Sequence, residues 1–208
     1  MRSVEKAFAA TGCTAVVSAD EAVLRKAERL VLPGVGAFGA CMTALTERGF
    51  DHLVRERVAA GTPLLGVCVG LQMLFEESEE FGTTLGLGLL RGRVRRFSHD
   101  LVVPQVGWNQ IRQRVPHLLF DGIEDSSFFY FVHSYYCEPL EGEVILGQTD
   151  YGVAYASVIA RENLCGVQFH PEKSQATGLR MLANFARSGR LQFVDHDQTD
   201  RFSWETTN

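Results

Sequence analysis

Cys68 stands in the run Gly66-Val67-Cys68-Val69-Gly70, where an apolar segment gives way to a more mixed one. A G-x-C-x-G at a strand-to-helix junction has the form of a nucleophile elbow, a turn so sharp that the neighbours of the nucleophile have no room for a Cβ. The following helix directs its free N–H groups and positive dipole end at the sulfur, which favours thiolate. The ordinary fate of an apolar-flanked cysteine is burial as a small hydrophobe. Cys13, Cys41, Cys137 and Cys165 lack the paired glycines and keep that reading.

A thiol nucleophile needs a base, and Gly166-Val167-Gln168-Phe169-His170-Pro171-Glu172 offers one at the end of an apolar strand. In extended chain, residues two apart face the same side, so the Glu172 carboxylate is placed to orient the His170 imidazole and to stabilise its protonated form, with Pro171 stiffening the pair. His133, in Phe131-Val132-His133-Ser134-Tyr135-Tyr136, is the rival base but has no acid two residues on. The six histidines show no H-E-x-x-H or related spacing and the five cysteines no CxxC, so neither a metal site nor a disulfide framework is expected. An odd set of unpaired thiols suits a reducing, cytosolic setting.

Gly34-Val35-Gly36-Ala37-Phe38-Gly39 formally matches the dinucleotide fingerprint G-x-G-x-x-G. That fingerprint requires a second strand ending in an acidic residue about twenty positions later, and here Asp51 to Ala60 reads as helix. The alternative use of the glycines is a close backbone approach to the nucleophile, with N–H groups turned toward a developing oxyanion and the Val69 N–H as second donor. Arg91, Arg93 and Arg95 alternate along a strand beside Arg96, which is a solvated face or a rim for an acidic partner. Trp108, in Pro104-Gln105-Val106-Gly107-Trp108-Asn109, is core or interface.

These residues must be positioned by a chain of 208 residues that is 46% hydrophobic and 22% charged, enough for one core of ordinary size. With 20 Lys+Arg against 25 Asp+Glu the net charge is -5, which disfavours nucleic acid or an acidic membrane as the main partner. The longest apolar run, Pro63 to Phe75, is interrupted by Gly66, Gly70 and Gln72 and falls short of the ~18 residues of a bilayer span. Met1-Arg2-Ser3-Val4-Glu5-Lys6 fails the pattern of a secretory signal. Helices are expected over Val4 to Ala10, from an Asp20 cap through Lys26, and over Phe38 to Arg48, Asp51 to Ala60 and Val69 to Glu77. Strands are expected at Thr14 to Ser18, Arg29 to Leu32 and Pro63 to Val67, in the rhythm of a parallel sheet with crossover helices. From Leu87 the pattern turns to alternating strands, Leu90 to Phe97, Gly107 to Arg112, Phe128 to Val132, Val153 to Ala160 and Leu164 to Phe169, before a last helix, Thr177 to Arg187. The sum is a three-layer α/β domain with a mixed, largely parallel central sheet, and Gln192 to Asn208 as a loose polar, acidic tail.

The ordered set LPGVGAF, GVCVGLQMLFEES, PQVGWN, FVHSYY and GVQFHPEKS resembles the glutaminase subunits of imidazole glycerol phosphate synthase, class I glutamine amidotransferases of histidine biosynthesis. The resemblance covers Met1 to about Arg190, setting a glutaminase domain over residues 1–190 and a tail over 191–208. It implies Cys68 as nucleophile, His170 as base and acid, Glu172 as its orienting group, and Val35 and Val69 as donors of oxyanion N–H groups. It further implies that Gly36, Gln72, Glu80, Ser134 and Tyr135 hold substrate glutamine, and that Trp108, Tyr130 and Lys173 lie near a partner. That partner is a cyclase subunit with a (β/α)8 barrel, which takes the ammonia to make imidazole glycerol phosphate and aminoimidazole carboxamide ribotide. No cofactor is implied. Relatives begin with an apolar strand and a D-Y-G-x-G-N loop before L-R-S-V, whereas Met1 here stands where that leucine does. A first strand is therefore expected to be missing from the sheet, and the true start to lie upstream. Two rival functions remain on the residues alone: a Cys-dependent peptidase or other amidohydrolase, and an inert interaction subunit.

Overall fold

A computed structural model of the chain describes residues 2–187. The expected tail, Gln192 to Asn208, and the end of the 1–190 domain lie outside the described residues. In chain order the elements are α1 (Arg2–Ala10), α2 (Glu21–Lys26), β1 (Leu30–Gly34), α3 (Phe38–Thr46), α4 (Phe50–Ala59), β2 (Leu64–Cys68), α5 (Val69–Gln72), β3 (Phe75–Ser78) and β4 (Thr84–Leu85). There follow β5 (Leu90–Arg96), β6 (Gln105–Gln113), β7 (Ser127–His133), β8 (Tyr135–Pro139), β9 (Ile145–Asp150), β10 (Ala154–Arg161), β11 (Leu164–Val167) and α6 (Gln175–Arg187).

All five residues of β2 are buried, as the unbroken apolar run Pro63 to Val67 requires of a strand covered on both faces. It pairs in parallel with β1 on one side and β11 on the other. Two helical groups, α1 packed on α6, and α2 and α3 packed on α4, supply the cover, with Phe8, Leu53, Val54, Leu182 and Phe185 joining Leu64, Leu65 and Val67 in one core. The sheet continues β11-β10-β8-β5-β3-β4, antiparallel except for the parallel β3–β5 pair. The β6–β7 ladder joins this sheet through β9. The expected mixed α/β sheet is therefore present, its parallel ladders being β1–β2–β11 and β3–β5.

Two expected elements differ. Thr14 to Ser18 is not a strand: residues 13–20 carry no regular structure, Val16 and Val17 are exposed, and β1 pairs with β2 alone. A β-branched run without a ladder partner gains nothing from its propensity. The helix expected from Val69 to Glu77 ends after one turn at Gln72, and Phe75–Ser78 becomes β3. Leu71 to Phe75 is wholly buried, and a short run apolar on every side carries no period with which to tell helix from strand. Strands β8 and β9 were not anticipated. The arginine face of β5 is answered within the chain, since Arg93 and Arg95 both pair with Glu138 of neighbouring β8 at 2.9 and 3.0 Å.

Two histidines are built in as neutral groups. His117 Nδ1 accepts the Leu119 N–H at the start of a 3-10 turn, and burial pushes its pKa down to about 4. His133 faces the Tyr135 carbonyl with Nδ1 at 2.8 Å and the Tyr155 hydroxyl with Nε2 at 3.2 Å. A carbonyl only accepts, so Nδ1 carries the proton, while the Tyr155 hydroxyl gives its own proton to Gln105 Oε1 at 3.0 Å. Burial again dominates and holds His133 at about 4. Below the ordinary value near 6.5 the unfolded chain binds protons at these sites and the folded chain does not, so their contribution to stability is present above that pH and lost as pH falls toward 4. Thermal melts are expected to show Tm falling steadily from about pH 6.5 to pH 4, with a shallower fall in His117→Gln. An unchanged slope in that variant would contradict the assignment.

Candidate active site

Cys68 ends β2 with φ 55° and ψ −114°, a backbone conformation that a side chain other than glycine's adopts at a cost. The neighbouring glycines make that turn possible. A Cβ on Gly70 would overlap the Leu32 carbonyl oxygen of β1, one on Gly66 would lie 2.7 Å from the Gly70 oxygen, and one on Gly34 would lie 2.7 Å from the Gly70 nitrogen. Backbone therefore packs on backbone on three sides of the elbow. Gly34 serves this close approach, whereas a Cβ on Gly36 would meet nothing within 4 Å and that glycine is called for by its φ of +90° instead.

Parallel pairing brings the rest of the site to the same end of the sheet. Val67 of β2 is in register with Val167 of β11, and Gly34 of β1 with Cys68. The chain leaving β11 therefore emerges beside Cys68, and it carries Gln168, His170 and Glu172. His170 Nδ1 lies 2.9 Å from Glu172 Oε1, with the two side chains 6% and 7% exposed. The pair closes across a single 3-10 turn, Pro171–Lys173, rather than along extended chain as expected. Proline at the first position starts that turn with its φ already set. The turn is clamped by the His170 N–H on the Tyr130 carbonyl at 2.9 Å, and by the Ser174 hydroxyl donating to the His170 carbonyl at 2.7 Å.

Burial disfavours the His170 cation, but hydrogen bonds and charge from Cys68 and from Glu172 outweigh it and raise the pKa to about 9. Burial likewise disfavours the Glu172 anion, and the His170 partner overcomes that to hold the carboxyl below its ordinary value. The arrangement is an imidazole hydrogen-bonded to a carboxylate beside the Cys68 sulfur, with surroundings that favour the imidazole cation. His133 is excluded as the base, because its protonated nitrogen is spent on the Tyr135 carbonyl and the other on Tyr155.

The other predicted residues gather around this line. Gln72, one turn past Cys68 and buried, donates from Nε2 to the Tyr135 carbonyl at 2.9 Å. Ser134 and Tyr135, both half-buried, lie at the β7–β8 turn. Glu80 accepts the Phe38 N–H at the start of α3, which sets its carboxylate beside the Val35–Gly36 loop. Gly36 has φ +90°, the Val35 side chain is exposed, and the Val35 carbonyl accepts from Cys41 Sγ at 3.4 Å. Val69 begins α5 directly after Cys68. Trp108, Tyr130 and Lys173 form a separate outward cluster: the two rings meet edge to face at 6.0 Å, and Lys173 Nζ stands 5.8 Å from the centre of the Tyr130 ring. Beside it a shallow groove of about 360 Å³ is lined by Trp108, Phe128 and residues 174–177.

Sequence reasoning passed over Gln168, which is fully buried and directs Nε2 at Cys68 Sγ, 3.9 Å away. Its signal was its place two residues before His170, which the expected strand Leu164 to Phe169 would set on the same face, although β11 itself ends at Val167. Among the described residues no group of three or more His, Cys, Asp or Glu could hold a metal, and no helix is long and apolar enough to cross a membrane.

The family profile described as Glutamine amidotransferase class-I matches residues 2–188. Two similar curated proteins are both described as "Imidazole glycerol phosphate synthase subunit HisH". The protein from Syntrophotalea carbinolica is 47% identical, over 89% of this chain and 93% of its own length. That from Symbiobacterium thermophilum is 49% identical, over 90% of this chain and 88% of its own. Among solved structures, one described as a glutamine amidotransferase superposes with a TM-score of 0.69 at 23% identity, over 89% of this chain and 93% of that one. A putative GMP synthase subunit from Thermoplasma acidophilum gives 0.63 at 20%, over 88% and 85%. These last two likenesses concern the fold.

The elbow makes a direct prediction. Gly70→Ala is expected to destabilise the protein by about 4 kcal/mol or more, because a methyl group cannot share space with a backbone carbonyl and neither strand can retreat. Gly61→Ala at an open turn, where a Cβ meets nothing within 4 Å, should cost only about 1 kcal/mol for its positive φ. Equal denaturation midpoints for the two variants would show that the packing at the elbow is not as described.

Proposed function

The chain belongs to the class I glutamine amidotransferase family, and on that premise we propose that Cys68, His170 and Glu172 are the triad that hydrolyses glutamine. The reaction is that of a glutaminase serving imidazole glycerol phosphate synthase in histidine biosynthesis. The observation that carries the triad is the buried His170–Glu172 contact of 2.9 Å, with the imidazolium it stabilises turned to Cys68.

Cys68 Sγ attacks the carboxamide carbon of glutamine, and the carbonyl electron pair moves to oxygen, where the N–H groups of Val35 and Val69 receive it. His170 passes its proton to the nitrogen, the C–N bond breaks, and ammonia leaves a thioester on Cys68. His170, now neutral, takes a proton from water as the oxygen adds to the thioester carbon; the C–S bond breaks, and glutamate departs. Glu172 keeps the ring oriented through both steps. Gly36, Gln72, Glu80, Ser134 and Tyr135 form the pocket for substrate. With Gln72 Nε2 committed to protein acceptors, its free oxygen is the group left to receive a donor from glutamine.

The ammonia is used by a cyclase subunit, which we read as a (β/α)8 barrel docked on the Trp108–Tyr130–Lys173 face. Aromatic rings beside one cation and a shallow groove have the composition of an interface centre. Five free cysteines support a reducing compartment, the cytoplasm.

Cys68→Ala is expected to abolish glutamate release, at least about 10⁴-fold, while leaving association with the cyclase intact. His170→Ala should approach the same loss, Glu172→Gln should retain partial activity because the imidazole remains, and buried Cys165→Ala should stay active. Glutamate release by Cys68→Ala at the parental rate would remove the elbow from the mechanism. Labelling by a glutamine-mimicking electrophile should fall on Cys68, and a folded complex that takes no label would instead describe an inert interaction subunit.

The free chain is expected to be a slow glutaminase that accelerates when the cyclase binds its own ligand, measured as glutamate release with and without the partner. Trp108→Ala should weaken association by about 2 kcal/mol or more. Full activity of the chain alone would count against coupling through this face.

A further inference from the structure

The orientation of Gln168 is set by a series of donors that begins at a backbone carbonyl. The Tyr135 carbonyl can only accept, so the Gln72 atom facing it at 2.9 Å is Nε2. The second hydrogen of that nitrogen is directed at Gln168, 3.1 Å away, so the facing atom there must be the acceptor Oε1. Gln168 Nε2 is thereby turned to the opposite end of its amide, where it meets Cys68 Sγ at 3.9 Å, a separation the larger radius of sulfur allows. The Gln168 backbone is pinned as well, its N–H donating to the Ser157 carbonyl at 2.9 Å. Gln168 is 0% exposed, so neither end of its amide has water as an alternative partner.

A buried amide at the end of an apolar strand costs desolvation that an aliphatic side chain of the same volume would avoid. What the amide adds is a donor to sulfur, and sulfur carries negative charge twice in the reaction: before attack, paired with the His170 cation, and again when the thioester collapses. A hydrogen bond to a charged acceptor is worth more than one to a neutral acceptor. We propose that Gln168 is a further catalytic residue, whose Nε2–H donates to Cys68 Sγ, stabilising and aiming the thiolate, and whose Oε1 ties that position to Gln72 in the substrate pocket. The proposal rests on Cys68 being the nucleophile.

The test compares Gln168→Met, which keeps volume and removes both polar atoms, with Gln168→Glu, which keeps the acceptor for Gln72 and replaces the donor with an oxygen. Both are measured in the complex with the cyclase for kcat and KM on glutamine, and for the rate of Cys68 alkylation by iodoacetamide across pH, with the alkylated site read by mass spectrometry. In both variants kcat and the neutral-pH alkylation rate are expected to fall about 10- to 100-fold, with KM changed less than about threefold. The alkylation profile should move to higher pH. Gln168→Glu should be the slower at neutral pH, since a carboxylate repels the thiolate. Should Gln168→Met fail to fold, as read by its thermal melt, the near-isosteric Gln168→Glu carries the same outcomes. An unmoved alkylation profile overturns the proposal, whatever happens to kcat, and so does a change confined to KM. Activity that survives Cys68→Ala would overturn the reading of the nucleophile instead, whereas an essential Cys68 with normal Gln168 variants overturns the proposal alone.

Discussion

The site depends on backbone meeting backbone between β1 and the elbow after β2. The Leu32 carbonyl occupies the space where any Cβ on residue 70 would stand, and Gly34 and Gly66 complete the same close approach from the other sides. Only a chain without side chains at these points can turn within one residue from a fully buried strand into a helix, and that turn places Cys68 at φ 55°. Strain at one residue is tolerable because the surrounding core over-determines it. Parallel pairing of β2 with β11 then converts this local arrangement into a site, since two strands ending at the same level deliver Cys68 and the Gln168–Glu172 segment to one place although they are about a hundred residues apart in sequence.

Within the site the environment sorts two histidines into opposite roles. His133 and His170 lie near enough for the charge of one to act on the other, and both are buried. His133 faces a carbonyl and a phenol, neither of which repays the desolvation of a cation, and falls to about 4. His170 faces a carboxylate and a thiol, and despite burial rises to about 9. Titratable groups pushed apart by their surroundings take different roles, and in the proposed mechanism His170 is the one that moves protons. The neutral one is structural, and its Nδ1–H fixes the Tyr135 carbonyl, the same oxygen that orients Gln72 and, through it, Gln168.

Much of this was legible in the residues because it rests on local rules. Paired glycines around Cys68, and an acid two residues beyond His170, are requirements of turn geometry and of base orientation that short windows record. Apolar runs likewise announced β2, β10, β11 and α6. The misses share a cause. Phe75–Ser78 was read as helix because a wholly buried run has no polar face to supply a period. Thr14 to Ser18 was read as a strand because propensity is local while a strand is a relation to a neighbour. Gln168 was passed over because its place two residues before His170 hints at a shared face but names no partner, and its partners lie 96 and 100 residues away. The membership of Arg93 and Arg95 in an internal pair with Glu138 was hidden for the same reason, since it required β8 to be placed beside β5.

The outward cluster and the proposed triad are joined through the main chain of Tyr130 and His170 and the Ser174 hydroxyl. The Tyr130 carbonyl receives the His170 N–H, the Tyr130 N–H donates to the Ser174 hydroxyl, and that hydroxyl donates to the His170 carbonyl. Lys173, which stands over the Tyr130 ring, is one residue past Glu172 and part of the same 3-10 turn. On the proposed docking, a load on the Trp108–Tyr130–Lys173 face would reach the backbone around His170 through these three hydrogen bonds. Coupling needs two arrangements of such an element and a ligand that prefers one of them. A single proline-led turn bearing both the orienting carboxylate and a contact of the outer face is short enough that a small shift at the surface would alter the His170–Glu172 geometry.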